Sequence, residues 1–366
     1  MVTSAFARIL VAVTALVLAI ASASIAADGP ALPLYPEVRP GVAMSFPADH
    51  GAHPKFRTEW WYITGWLDTG GGHALGFQVT FFRTRPAIDE NNPSAFAAKQ
   101  ILFAHAALSD PSLGHLLHDQ RAARAGFGLA QAAEGDTDVV LDDWSLKRGA
   151  DDIFRTKLGG KEFTLDLAFT PTQPVLPEGE NGYSRKGPEA AQASYYYSLP
   201  HLAVSGTVQR GGRSVPVKGS AWLDREWSSA YLDPRAVGWD WVGLNLDDGG
   251  AVMAFRIRDT KGRALWAGGT WRDANGVLTR FAPGDVSFTT ERRWHSPRTG
   301  TDYPVEQTLT LHVPAGEKRF HLKPLLDDQE LDSRKGGGPV YWEGAAKVEG
   351  GGGYLELTGY FKPLKM

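Results

Sequence analysis

The chain has 366 residues, a formal charge of −3 at pH 7 and no cysteine. Lack of thiols excludes disulfides, zinc–thiolate centres and cysteine nucleophiles, and so weak an acidic balance gives no electrostatic footprint for nucleic acid or an anionic membrane. Glycine (42) and proline (23) are spread between short apolar stretches, a pattern of strands and turns rather than of disorder.

The N-terminus reads M-V-T-S-A-F-A-R, then an apolar run from Ile9 to Ile20, then A-S-A-S-I-A-A-D. One basic residue, an apolar run too short to span a bilayer and small residues after it predict a secretory signal peptide over residues 1–26. An uncleaved anchor is the competing reading. Cleavage removes one charge, Arg8, and leaves a net −4. A periplasmic or secreted location follows. No later segment is apolar enough for a transmembrane helix, so the chain is not expected to be an integral membrane protein.

Residues 28–56 read as an extended lead-in. T58-E-W-W-Y-I-T-G-W-L-D68 and A74-L-G-F-Q-V-T-F-F-R-T-R85 read as two long strands joined through a glycine turn. Leu116–Ala133 is the best candidate for a helix. Further strands are expected at 100–109, 162–170, 194–205 and 215–227, with R185-K-G-P-E-A-A-Q-A-S as a polar loop. After a turn-rich break, strands are expected at 238–246, 251–259, 264–271, 305–313, 340–348 and 354–360. The fold class is all-β, in two halves that join near residue 230. Long antiparallel strands with short turns can close into barrels, which hide their edges, and a barrel of about eight strands can hold one small ligand.

Three places set an acid beside tryptophan: Glu59-Trp60-Trp61, Glu226-Trp227 and Trp239-Asp240-Trp241. Strand alternation puts Glu59 on a face with Trp61, Ile63 and Leu67, and Trp60, Tyr62 and Trp66 on the other. It puts Asp240 with Val242, Leu244 and Leu246. A carboxyl on a greasy row is pushed up in pKa unless a cation sits near it, and such an acid can protonate a double bond or a leaving group. The competing account is structural, with Arg57, Arg225, Arg256 and Arg258 available to pair with the acids while stacking on tryptophan. His50-x-x-His53 and His115-x-x-His118 lack a third ligand, so no metal is expected. His105, inside an apolar strand, reads as a satisfied buried histidine. No nucleophile elbow, P-loop or dinucleotide fingerprint occurs, and no cofactor is expected.

Four ordered stretches, H53-P-K-F-R-T-E-W-W-Y-I-T-G, G219-S-A-W-L-D-R-E-W-S-S, W239-D-W-V-G-L-N-L-D-D-G and Y341-W-E-G with G-Y-L-E-L-T-G-Y, resemble the AttH/CrtC-like family of secreted lipocalin-like proteins. That family includes hydroxyneurosporene synthase (carotenoid 1,2-hydratase). The resemblance implies two consecutive lipocalin-like antiparallel β-barrel domains, over residues 27–232 and 233–366, and a role in handling hydrophobic polyene or polyketide-type molecules. Asp224 and Trp227 match the hydratase branch, whereas Arg225-Glu226 stand where that branch has His-Asn. The strand M253-A-F-R-I-R also carries no acid at the place of that branch's proton donor.

Two readings stay open. An enzyme of hydratase/lyase or hydrolase type would use Glu59, Asp224, Glu226 or Asp240 as acid on a lipophilic substrate. Trp60, Trp61, Tyr62, Trp227, Trp239 and Trp241 would line its site, and Arg225 would orient a carboxylate or oxyanion. A non-catalytic carrier would hold the lipophile unchanged and serve an ABC-type membrane transporter.

Overall fold

The computed structural model describes residues 32–314 and 316–364, so the leader expected over residues 1–26 lies outside the described residues. Residues 32–33 and 87–97 belong to a small unit with reverse turns closed by Asn92 N–H to Asp89 O (3.2 Å) and Ala97 N–H to Ser94 O (3.0 Å). Both sheets lie in the other unit, residues 34–86 and 98 onward. Among the described residues, helix is confined to single 3-10 turns at 48–50, 283–285 and 334–336.

The first sheet is built from β1 (Thr58–Asp68), β2 (Ala74–Thr84), β3 (Ile101–Ser109), β4 (Leu116–Arg124), β5 (Ala130–Ala132), β6 (Asp138–Leu141), β7 (Trp144–Arg148), β8 (Phe154–Gly159) and β9 (Phe163–Thr170). The short β10 (Leu176–Pro177) and β11 (Tyr183–Arg185) and the long β12 (Ala193–Arg210) and β13 (Arg213–Ala230) complete it. Its order is β4-β3-β2-β1-β13-β12-β9-β8-β7-β6-β5, with β10 and β11 on β12.

The second sheet holds β14 (Gly238–Leu246), β15 (Ala251–Arg258), β16 (Ala264–Arg272), β17 (Leu278–Phe281), β18 (Val286–His295) and β19 (Asp302–Val313). It continues with β20 (Gly316–Pro324), β21 (Glu330–Asp332), β22 (Val340–Val348) and β23 (Gly351–Leu357). Its order is β17-β16-β15-β14-β23-β22-β20-β19-β18, with β21 on β22. The edge strand β18 returns to β15 and β16, and Arg256 Nη1 donates to Phe288 O (2.9 Å) across that seam.

The helix expected over Leu116–Ala133 is corrected: those residues form β4, a turn and β5. β4 pairs with β3 along its whole length, from Ile101↔Arg124 to Ser109↔Leu116. A full ladder of backbone hydrogen bonds to a waiting strand edge outweighs weak helical propensity. The glycine turn between β1 and β2 is as expected; Gly70, Gly71 and Gly72 take φ of +78°, +77° and +85°, open only to glycine without strain.

Each sheet curls round its own core. Trp61, Phe77, Phe81, Trp144, Phe154 and Phe169 pack in the first, and Val242, Leu244, Tyr303, Leu309 and Trp342 in the second. A buried aromatic removes about 150–250 Å² from water, roughly 4–6 kcal/mol at ~25 cal/mol per Å² before entropy is counted. With no disulfide available, packing of this kind carries the fold. The outer faces of the central strands form a third apolar layer between the sheets, with Tyr62, Tyr196, Trp222, Trp241, Met253, Phe255 and Tyr354.

Candidate active site between the sheets

Alternation along β1 and β13 sends successive residues to opposite layers. Glu59, Trp61, Arg225 and Trp227 point into the first barrel. There Glu59 is fully buried, and Arg83 Nε and Arg225 Nη2 donate to its two oxygens. The His53 backbone N–H adds contacts of 3.0 and 2.9 Å. The Arg225 guanidinium lies 3.9 Å over the Trp61 ring, and His53 stacks on Trp227 at 3.8 Å. Burial alone would raise the Glu59 pKa, but Arg225, His53 and Arg83 together outweigh it and hold the carboxyl well below its usual range.

The second barrel repeats the device. Asp240 is buried on β14, paired with Arg256 (2.6 Å) and Arg258 (2.9 Å) from β15 and accepting the Tyr360 hydroxyl (2.9 Å). Among the predicted site residues, Glu59, Trp61, Arg225, Trp227 and Asp240 therefore sit in barrel interiors as ion-pair and stacking partners. His105 is also buried, with Nδ1 2.8 Å from the Tyr341 hydroxyl, and burial pushes its pKa down to about 3.

The alternate residues meet between the sheets. Trp60, Tyr62, Trp222, Asp224 and Glu226 come from the first sheet, and Trp239 and Trp241 from the second. Tyr62 and Trp241 meet edge to face at 5.2 Å, as do Trp60 and Tyr231 at 5.2 Å. Asp224 Oδ2 accepts the Tyr196 hydroxyl (2.6 Å), which in turn accepts Trp241 Nε1 (3.0 Å). Asp224 Oδ1 accepts Trp222 Nε1 (2.6 Å) and lies 2.6 Å from Ser198 Oγ. Glu226 pairs with buried Lys186 (2.9 Å), whose ammonium is faced by the rings of Tyr196, Tyr231 and Phe255.

Ser198 Oγ is also 2.9 Å from Oε1 of Glu178, a carboxyl fully buried just after β10. One hydroxyl hydrogen serves a single acceptor well, so both contacts are satisfied when one of the two acids carries a proton and donates it to Ser198 Oγ. Tyr196 and Trp222 already donate to Asp224, which places the proton on Glu178. Burial, and after it the charge of Asp224, raises Glu178 to about 8; burial raises Asp224 to about 7 despite its donors.

Facing this couple from the second sheet, Glu343 and Glu356 stand directly opposite each other on β22 and β23. Trp239 Nε1 donates to Glu356 Oε2 (2.8 Å). Both Glu343 oxygens are buried without a well-formed hydrogen bond, amid Tyr62, Tyr341 and Gln78.

A groove of about 510 Å³ runs into this layer, lined by Thr64, Trp66, Ser220, Trp222, Asn245 and Gly352 among others. Trp222 belongs both to the groove wall and to the hydrogen bonds of Asp224, while Asp224, Glu178, Glu343 and Glu356 themselves do not line the groove. A larger groove, about 770 Å³, lies at the β3–β4, β8–β9 and β12–β13 turns and holds none of the interior acids.

Sequence reasoning missed Glu178, Lys186, Tyr196, Ser198, Trp222, Glu343 and Glu356. The last two lie in W-E-G and Y-L-E-L, where an acid flanked by aromatic and apolar residues was the available signal. Glu178, in L-P-E-G, carries none.

The family model described as AttH-like matches residues 37–360. Among solved structures, a protein assigned to AttH from Nitrosomonas europaea is 55% identical, with a TM-score of 0.82, and the match covers 89% of this chain and 100% of that one. Kievitone hydratase from Nectria haematococca shares 15% identity at a TM-score of 0.66, covering 91% and 98%. CghA shares 13% at 0.53, covering 91% and 96%. At such identities the last two are alike in fold. No curated protein matches at a significant level. The family match runs from before β1 to beyond β23 and so takes in both sheets and every acid between them: the chain belongs to the AttH-like family.

Proposed function

We propose that the protein is an exported hydratase that adds water across a carbon–carbon double bond of a lipophilic small molecule held between the two sheets. Glu178, Ser198 and Asp224 are its proton source. The observation that carries this reading is the single Ser198 hydroxyl shared by two buried carboxyls. It holds a proton at neutral pH inside an aromatic layer, which is what protonation of an alkene requires.

Glu178 passes its proton to Ser198, and the Ser198 hydrogen passes to Asp224. Asp224 then gives a proton to one alkene carbon, the π electrons forming the new C–H bond. Positive charge left on the other carbon faces the rings of Tyr62, Trp222 and Trp241, which stabilise a cation through their negative faces. Water oxygen adds to that carbon and loses one proton, leaving an alcohol. Kievitone hydratase, a relative in fold, is a hydratase by name, which supports water addition over hydrolysis. The leader-like N-terminus supports export.

The test is incubation of the mature protein with farnesol, kievitone and a prenylated phenol, read by mass spectrometry, beside native spectra of protein purified from its own host. The unmodified protein should yield a product heavier by one water. Ser198→Ala should cut turnover by about 10²–10⁴-fold while keeping ligand affinity, the usual worth of a positioned proton donor. A bound lipophile that never gains water, with no turnover of any compound, overturns the hydratase and leaves a carrier, for which an ABC-type transporter is the natural recipient.

A further inference from the structure

The facing wall of the same layer contains acids that the proton source does not use. Glu343, 3% exposed, and Glu356, part-buried, are register partners on adjacent antiparallel strands, the closest placement two cross-strand side chains can have. Three of the interior acids are supplied with cations: Arg83 and Arg225 for Glu59, Arg256 and Arg258 for Asp240, Lys186 for Glu226. Among the described residues no cation pairs with Glu343 or Glu356. Tyr62, whose hydroxyl is buried without a well-formed hydrogen bond, stands between the walls: it is the register partner of Asp224, and burial followed by the charges of both glutamates raises its pKa.

We propose that Glu356 is the base that takes the proton from the attacking water, from the wall opposite Glu178–Ser198–Asp224, and that Glu343 is a positioning residue that stays protonated beside it. The inference rests on the hydratase reading and deepens it. Water addition needs an acid to protonate carbon and a base to accept the proton that water gives up. Two carboxyls side by side without a cation cannot both ionise, so such a pair holds one charge and one proton.

The surroundings decide which is charged. Glu356 is fixed by the Trp239 N–H, a donor that favours the anion, and it faces Asp224 and Glu226 on β13 and Tyr62, Tyr231 and Tyr341. Glu343 sits deeper, among Tyr62, Gln78, Tyr341 and Tyr354, and the Glu356 charge pushes its proton affinity up further. In turnover, as the water oxygen bonds to the cationic carbon, its O–H electrons remain on oxygen and the proton goes to Glu356. One proton returned from Glu356, or taken up from solvent, to Asp224 and relayed back through Ser198 to Glu178 restores the starting state.

Two measurements on the full mature chain separate this inference from the reading beneath it. The first needs no ligand: carbon-13 NMR titration of glutamate-labelled protein, unmodified and as Glu356→Gln and Glu343→Gln. One carboxyl of the pair should keep its proton into alkaline solution, and Glu356→Gln should bring its titration down by about 1 pH unit or more, the coupling of interacting carboxyls. Two carboxyls that both ionise in the ordinary range, or a Glu343 titration unmoved by Glu356→Gln, overturn the pair.

The second uses whichever compound the unmodified protein hydrates. Glu356→Gln should lower kcat about 100-fold or more. Glu343→Ala should lower kcat as well, and Glu343→Gln should rescue part of that loss, because an amide replaces a neutral acid. Turnover abolished by Ser198→Ala but intact in Glu356→Gln overturns the base while the hydratase stands. No turnover in the unmodified protein overturns both.

Discussion

Glu59 lies in the aromatic strand that most attracts attention in the sequence, and its role separates a strut from an acid. Replacing it by glutamine removes one charge from a site that keeps two buried guanidinium groups, Arg83 and Arg225, with nothing to neutralise them. Truncating one side of a buried ion pair costs about 3–5 kcal/mol, because the partner's desolvation is no longer offset. At about 2–4 °C per kcal/mol for a cooperative unit of the first barrel's size, the midpoint should fall by roughly 6–20 °C. Thermal melts read the midpoint, and urea unfolding followed by tryptophan fluorescence across pH reads the free-energy gap. The Glu59 carboxyl titrates below its ordinary value of 4.5 in the folded chain, so its stabilisation is complete above pH 4.5 and is lost as pH falls. The gap between the unmodified protein and Glu59→Gln should therefore be full at neutral pH and shrink by about 1.4 kcal/mol per pH unit below 4.5. A variant as stable as its parent at pH 7 yet without turnover would refute the strut and make Glu59 a chemical group.

Glu178 has the opposite sign. Its folded pKa, raised to about 8, lies above the unfolded value, so its contribution is fully present below pH 4.5 and is lost as pH rises through about 8. Glu178→Gln, which cannot ionise, should match its parent at pH 4 and exceed it in stability at pH 9, as thermal melts at the two pH values will show; equal melts at both would remove the buried proton. Gly352 faces the groove, and a Cβ there would meet Trp66 Nε1 at 3.3 Å. Gly352→Val should weaken lipophile binding in native mass spectra about tenfold, the worth of roughly 1.4 kcal/mol of lost or displaced contact, while leaving the fold intact; undiminished binding would exclude the groove as the route in.

Much of this arrangement is legible from strand alternation. T58-E-W-W-Y-I-T-G-W-L-D68 assigns Glu59, Trp61, Ile63 and Leu67 to one face and Trp60, Tyr62 and Trp66 to the other, and the structure divides them so. The glycine turn, the two halves and the satisfied His105 follow from equally local rules. What alternation cannot say is which face meets a second sheet. The row with the most aliphatic residues looks like a ligand cavity, yet it is a closed core with its acid paired to arginines. Glu178 and Ser198 lie 20 residues apart and meet because β10 folds back onto β12. Lys186 sits in what reads as a polar loop and ends buried against Glu226, a contact fixed by tertiary packing alone.

The contrast between barrel interior and inter-sheet layer also bears on why the proposed site lies outside the barrels. A barrel of this kind can take a ligand only if its axis is left open, and here Trp61, Trp144, Phe77, Phe154 and Trp342 fill the two interiors. The arginine–carboxylate groups on Glu59 and Asp240 add hydrogen bonds that an entering lipophile would have to break without replacement, at about 1–3 kcal/mol for each group left unpaired. The layer between the sheets is also packed and hydrogen-bonded, on Asp224 through Ser198, Tyr196 and Trp222 and on Glu226 through Lys186, but part of its polar surface is not tied up in this way. Its polar atoms include several without a well-formed hydrogen bond, Tyr62 Oη, Thr64 Oγ1 and both Glu343 oxygens, all on side chains that point from one sheet toward the other. It also has a groove leading into it from Trp66 to Trp222. Filled, charge-paired barrels then act as two rigid walls, and each wall contributes its own acids to the space between them. The proposed proton donor and water acceptor thus stand on opposite walls of the layer, an arrangement that a single closed barrel of this size would have no room to provide.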